Sequence, residues 1–149
     1  MTALPHRPDT HVFFSLRLAD ARSDMLTRNA GPLRCAMRAA RRARPFEIDS
    51  IVILPAALHA IWELPPEDAD FTARLGLFRA HFHALLAASN CAAEWQGRVS
   101  PRVLHGAEEI AAQRALIHQM PVQEGVAQRP EAWQFSSIHR ARDPGRLSA

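Results

Sequence analysis

No tyrosine occurs anywhere in this 149-residue sequence. Any chemistry that runs through a phenolic hydroxyl is therefore excluded. Lysine is absent too, so all 18 basic side chains other than histidine are arginine. Cysteine occurs only twice, at Cys35 and Cys91. The two are far apart and form no Cys-x-x-Cys pair, so two buried, reduced thiols are expected. No apolar run approaches the length of a membrane span. Residues Met1 to Asp9 lack the apolar core of a secretory leader. The expectation is a cytoplasmic protein without membrane contact.

What the sequence does contain is enough apolar residue for a core, 48% of the chain. The length suits one compact domain, with flexible ends expected at residues 1–10 and 141–149. The formal charge is +3 and the pI is about 10.0, a balance that permits an acidic partner. Arginine binds phosphate through a planar fork, which suits DNA. A G+C-rich coding sequence would produce the same bias without any such role.

Periodicity supplies the elements. His11 to Leu18 reads as a strand, with Val12, Phe14, Leu16 and Leu18 on one face. A polar connection covers Ala19 to Asn29. Pro32 opens a helix that should run to Arg44, where Pro45 stops it. Leu33, Met37 and Ala40 form its apolar side, and Arg34, Arg38, Arg41 and Arg42 its basic side. Phe46 to Leu54 and Leu58 to Leu64 read as two strands joined at Pro55-Ala56-Ala57.

Asp70 or Thr72 caps the next helix. Its stripe is Phe71, Leu75, Phe78, Phe82 and Leu85, and Arg74 and Arg79 lie off it. A short strand is expected near Arg102 to His105, flanked by Arg98 and Arg102. Ala107 to Gln119 is a third helix with Pro121 as its stop. Trp133 and Phe135 anchor the tail. The order β-α-β-β-α-β-α predicts an α+β fold: a ferredoxin-like antiparallel sheet with helices on one face.

Four stretches, taken together in order and spacing, resemble the REP-associated tyrosine transposases, single-domain HUH proteins of bacteria. They are Phe13-Phe14-Ser-Leu-Arg-Leu-Ala-Asp; Pro45-Phe46-Glu-Ile-Asp-Ser-Ile-Val-Ile-Leu-Pro55 continuing into Leu58-His59-Ala60-Ile61-Trp62; Trp95-Gln96; and Ile117-His118-Gln-Met-Pro121-Val122-Gln-Glu-Gly125-Val126 followed by Arg129-Pro130, Trp133 and Ser136-Ser137. The resemblance spans residues 11–140.

It implies a protein that cuts and rejoins single-stranded DNA beside hairpins. A tyrosine attacks a phosphodiester, assisted by a divalent metal such as Mg²⁺. Two histidines two residues apart on a strand hold the metal, because strand side chains alternate and such a pair shares a face. A further polar ligand lies one helical turn after the tyrosine.

Transferred onto this sequence, the first metal histidine falls on Ala57 and only His59 remains. The tyrosine position falls on Leu116 and the later polar position on Met120. No catalytic residue is then expected, and His59 alone would be an insufficient site for Mg²⁺, which prefers oxygen ligands. No cofactor is expected. Ser100, Ser136 and Ser137 are the nearby hydroxyls that could replace the nucleophile, and His118 resembles a family histidine. His81 and His83, two apart on a helix, do not make a metal pair.

The expected partner is single-stranded or hairpin DNA, gripped by Arg34, Arg38, Arg41, Arg42, Arg98 and Arg102. Trp62 and Trp95 are base-stacking candidates, with core packing as the simpler role for both. The alternatives are a homodimerising or partner-binding remnant without DNA activity, and an active metal-dependent nuclease with a replacement nucleophile.

Overall fold

The computed structural model describes residues 10–141. Four strands, β1 (His11–Arg17), β2 (Glu47–Ile53), β3 (Ala57–Glu63) and β4 (Arg102–Leu104), form one antiparallel sheet in the order β2-β3-β1-β4. The helices are α1 (Met25–Arg28), α2 (Ala30–Ala43), α3 (Phe71–Ala88) and α4 (Gly106–Gln123). The strand order is that of the expected ferredoxin-like plan. The flexible ends expected at 1–10 and 141–149 lie, apart from residues 10 and 141, outside the described residues. Thr10 itself is buried, and its carbonyl accepts the Leu64 N–H at 2.9 Å.

The sheet separates two cores. The even-numbered residues of β1 and β3, among them Phe14, Leu16, Leu58 and Trp62, pack with Leu33, Met37 and Ala40 of α2 and Leu75, Phe78 and Phe82 of α3. Trp62 is fully buried. Its ring stacks on Phe46 at 4.1 Å and meets Phe14 edge-on at 4.7 Å. The opposite face carries a smaller cluster of Val52, Leu54, Ala57, Ile61, Leu104 and Ile117. Helices on one face therefore describes α2 and α3, while α4 covers the other face through Ile117. A strand buried on both sides accounts for the unbroken apolar run at Ile51 to Leu54.

Several sequence expectations shift for physical reasons. The connection from Ala19 to Asn29 contains α1, whose Met25 and Leu26 are buried. α2 begins at Ala30, two residues before Pro32. On α3, Asp70 is the cap and accepts the Ala73 N–H at 3.0 Å. Its stripe ends on Leu86, 1% exposed, while Leu85 is 39% exposed. After three turns a 3.6-residue period carries the core position one residue further.

Pro121 does not stop α4, which continues to Gln123. A proline removes one ladder bond without preventing its neighbours from bonding. The stop is Gly125, at φ +76°, where the chain folds back and the Val126 N–H reaches the Pro121 carbonyl at 2.9 Å. Neither thiol is buried as expected: Cys35 is exposed on the polar side of α2, and Cys91 is half-buried.

Arg74, placed off the α3 stripe by periodicity, is completely buried. Its guanidinium donates to the Pro45 carbonyl, the Asp70 carbonyl and the Asp68 carboxylate, at 3.1, 3.0 and 3.0 Å. Arg44 clamps the same carboxylate with two bonds of 3.0 and 2.7 Å. The hydrogen bond from Arg44, with Arg74 adding to it, holds the Asp68 carboxyl down at about 2.

The tail is anchored as expected. The Trp133 indole donates to the Ile53 carbonyl at 2.8 Å, and the Ile53 N–H donates to the Phe135 carbonyl at 2.9 Å. Ser136 forms a bridge with Val52. The outer edge of β2 is thereby covered, which blunts it against pairing with another chain.

Candidate functional site

Ala57, His59 and Ile61 of β3 and Phe13, Ser15 and Arg17 of β1 point away from α2 and α3, because strand side chains alternate. The register sets Ser15 opposite His59 and Arg17 opposite Ala57. His59 is 1% exposed. Its Nδ1 lies 2.7 Å from the Ser15 hydroxyl, and its Nε2 is buried with no hydrogen-bond partner among the described residues. Burial, with the nearby Arg17 charge adding to it, lowers the imidazole to about 4. His59 is therefore neutral at pH 7.

Ala57 is buried and offers only a methyl group, packed in the apolar cluster that Met120 also touches. Leu116 faces outward from α4 and is 48% exposed. Met120 thus helps close the face beside Ala57, and Leu116 does not. A divalent cation would need several donors, mostly oxygen for Mg²⁺. Here one desolvated ring nitrogen stands beside a methyl and a thioether, so these residues do not fit such an ion. Among the described residues, no group of three or more His, Cys, Asp or Glu side chains could hold a metal.

α4 is fixed over this face by an ion pair from a bulge. The β2–β3 register shifts between Ile48 and Ser50, which frees Asp49 from the regular alternation. Arg114 of α4 grips Asp49 through two bonds of 2.9 and 2.7 Å. The Asp49 carboxyl is held low: desolvation opposes this, and the Arg114 bonds outweigh it. His118 of α4 lies 2.9 Å from the Ser137 hydroxyl, which accepts the Ile51 N–H at 2.9 Å. Burial, with the Arg114 charge adding to it, lowers the His118 pKa and favours the neutral ring. The two residues fasten the tail to β2 and α4. Ser136 is 1% exposed, and Ser100 is exposed on the loop before β4.

The sheet separates the sequence-predicted arginines into two groups. Arg38, Arg41 and Arg42 line a shallow depression of about 400 Å³ at the end of α2, together with Glu47. Arg41 there is tied to the Phe46 carbonyl and Glu47 at 3.0 and 3.1 Å. Arg34 lies over the Phe135 ring at 5.9 Å.

Arg98 and Arg102 belong to the β4 side. Arg102 is engaged by Glu109 at 3.2 Å, by Gln113, and by the Phe13 ring at 5.6 Å. Trp62 is core, and Trp95 is packed by Arg79 at 5.7 Å while its indole donates to His83 at 2.9 Å. Trp62 is thus unavailable for base stacking, and Trp95 is partly buried against the core.

Sequence reasoning passed over Ser15 and Arg17. The signal was the polar pair on the odd-numbered face of β1, in register with His59. Arg17 lines a cleft of about 270 Å³ that includes Ala57, Gln96 and Glu124, and a second of about 320 Å³ with Ser15, Gln96 and Arg98.

No family model matches the chain. Individual relatives do. The chain is 33% identical over 128 residues to a REP-associated tyrosine transposase of Escherichia coli strain K12, covering 86% of this chain and 76% of that protein. A Haemophilus influenzae protein that carries the same name provisionally is 26% identical, with 86% of this chain and 79% of that protein covered. A solved structure of the REP-associated tyrosine transposase bound to a REP hairpin superimposes with a TM-score of 0.83. It is 29% identical, with 99% of this chain and 88% of that chain covered. The strand order, the α4-covered face and these likenesses converge: this chain belongs to the REP-associated tyrosine transposase family.

Proposed function

We propose that this protein grips hairpin or single-stranded DNA and does not cut it. The observation that carries the reading is the state of the β3–α4 face. On the family pattern, the nucleophile, first metal ligand and polar ligand positions are Leu116, Ala57 and Met120. None of the three carries a group that could attack a phosphorus or bind a hard cation. His59, the remaining ligand position, is desolvated and bonded to Ser15. The family's divalent-metal chemistry therefore has no counterpart in these residues.

A replacement nucleophile would most plainly be Ser15, which has an imidazole at 2.7 Å. The physics is against it. A base whose pKa lies near 4 is poorly matched to proton removal at neutral pH. Its imidazolium would form in a dry site beside the Arg17 charge. Ser137 is committed between Ile51 and His118, and Ser136 is buried.

In the partner-binding alternative the apolar side chains at Ala57, Leu116 and Met120 could fill the cleft; Ala57 and Met120 share one apolar cluster, and Leu116 is exposed. The DNA reading draws on the relative solved with a REP hairpin and on arginines without acidic partners among the described residues, Arg17, Arg42 and Arg98 among them.

Fluorescence anisotropy with a hairpin carrying a single-stranded flank tests it. Affinity is expected to fall about 100-fold between 50 and 200 mM salt, as about four phosphate contacts imply, and to be unchanged by Mg²⁺. Absence of binding at low salt would overturn the reading.

A further inference from the structure

The geometry points to a phosphate-binding cleft between β1 and the loop before β4, with Arg17 and Arg98 as its ligands, that takes the backbone of a single DNA strand. This rests on the DNA-gripping reading and assigns the grip to a place. The segment 94–96 is pinned along the end of β1. The Gln96 N–H donates to the Arg17 carbonyl at 2.7 Å and the Ala19 N–H to the Glu94 carbonyl at 2.8 Å. Leu18 and Trp95 pair as a bridge.

Gly97 then turns the chain at φ +57°, a conformation that costs residues with a Cβ about 1 kcal/mol. The loop returns to β1 at β4, where Arg102 pairs with Phe13. Gly97, Arg98 and Ser100 of this loop, with Phe13, Ser15, Arg17 and Gln96, line an open cleft of about 320 Å³. That volume is at the lower end of ligand clefts.

The lining is cationic and neutral, with no carboxylate in it. Arg17 and Arg98 have no ion pair or hydrogen bond from their side chains to any described residue, in contrast to Arg41, Arg44, Arg74, Arg102 and Arg114. Two unneutralised guanidiniums on one concavity, with an amide and a hydroxyl beside them, have the donors that phosphodiester oxygens accept. Arg17 and Gln96, with Glu124, also line the adjoining cleft that reaches Ala57. A strand held at Arg98 and Arg17 is therefore led toward the position where the family's metal ligand would stand. The α2 depression lacks this character, since Glu47 lies in it and Arg41 is occupied.

The test uses the full chain and an Arg17→Gln/Arg98→Gln double variant, with Arg38→Gln/Arg42→Gln as the comparison. On flanked hairpin DNA, the first variant is expected to bind about 10- to 100-fold more weakly and to show a salt slope reduced by about 1 to 2. Circular dichroism should be unchanged, because both side chains are exposed. If wild type binds and this variant matches it in affinity and slope, the cleft is refuted and the DNA reading stands.

A second probe is independent of the hairpin: tetrathymidylate titrated into labelled protein and followed by NMR. Saturable shifts at Arg17, Gln96, Gly97 and Arg98 support the cleft. If hairpin binding is absent and these signals do not move, both the cleft and the DNA reading fall.

Discussion

Replacing Trp62 with alanine is expected to lower the unfolding free energy by about 4 kcal/mol, within the range for emptying a buried indole site. The ring is fully buried between Phe14, Phe46 and Phe71, so its neighbours belong to β1, the start of β2 and α3. Collapse around the void would have to move all three elements.

Trp62→Phe is the informative companion. The indole N–H has no hydrogen-bond partner among the described residues, so phenylalanine gives up ring volume but also removes an unsatisfied buried donor. The two effects oppose each other, and a loss of no more than about 2 kcal/mol is expected. Denaturant unfolding monitored by far-UV circular dichroism measures both. Equal losses for the two variants would contradict this account of the core.

Arg74→Ala is expected to cost about 3 kcal/mol, from a void and from polar groups left without donors. The guanidinium alone joins the Pro45 carbonyl, the end of α2 through Asp68 and Arg44, and the first turn of α3. Without it the Pro45 and Asp70 carbonyls lose these bonds. Asp68 keeps Arg44 and is partly open to water, which limits its share of the loss. Arg74→Lys should recover only part of the stability, since an ammonium cannot reproduce the planar fork. An unfolding midpoint unchanged in Arg74→Ala would show that this junction is not a stability determinant.

Both residues illustrate what the sequence made legible. Trp62 falls in a largely apolar strand that is buried from Ala57 to Trp62, so its burial follows from that run. Arg74 was placed off the α3 stripe, where a charge reads as part of a solvated face. Its three acceptors come from the turns before β2 and α3, which helical periodicity does not describe.

The sheet order was readable because β1, β2 and β3 carry Val, Ile, Leu and Phe runs bounded by prolines and polar breaks. The placement of α4 on the opposite face was not. Ile117, the Asp49–Arg114 pair and the His118–Ser137 bond hold it there, and the β2 register shift beside Asp49 leaves no mark in the composition.

The site was legible by resemblance more than by physics. Ala57, Leu116 and Met120 stand out only against a pattern in which other residues are expected. His59 and Ser15 are 44 positions apart, and strand register brings them to 2.7 Å. Ser137 is in register with His118 and Ile51 only once the tail lies along β2. The expected arginines differ in their surroundings. Arg98 stands beside an open cleft, whereas Arg41 and Arg102 are engaged by Glu47 and Glu109. Arg17 was overlooked because a single charge at a strand end reads as an ordinary terminus.

The chain has a transposase-family fold, and the proposal is that it keeps a grip on DNA without the family's chemistry. The central claim is the loss of strand cleavage. It is tested most directly by incubating the purified protein with Mg²⁺ and with Mn²⁺ on a suicide substrate, a hairpin whose flanking strand is interrupted so that a covalent intermediate would be trapped. The account predicts intact DNA and a protein of unaltered mass by mass spectrometry. A metal-dependent nick, or a protein–DNA adduct mapped to any side chain of this tyrosine-free sequence, would contradict it.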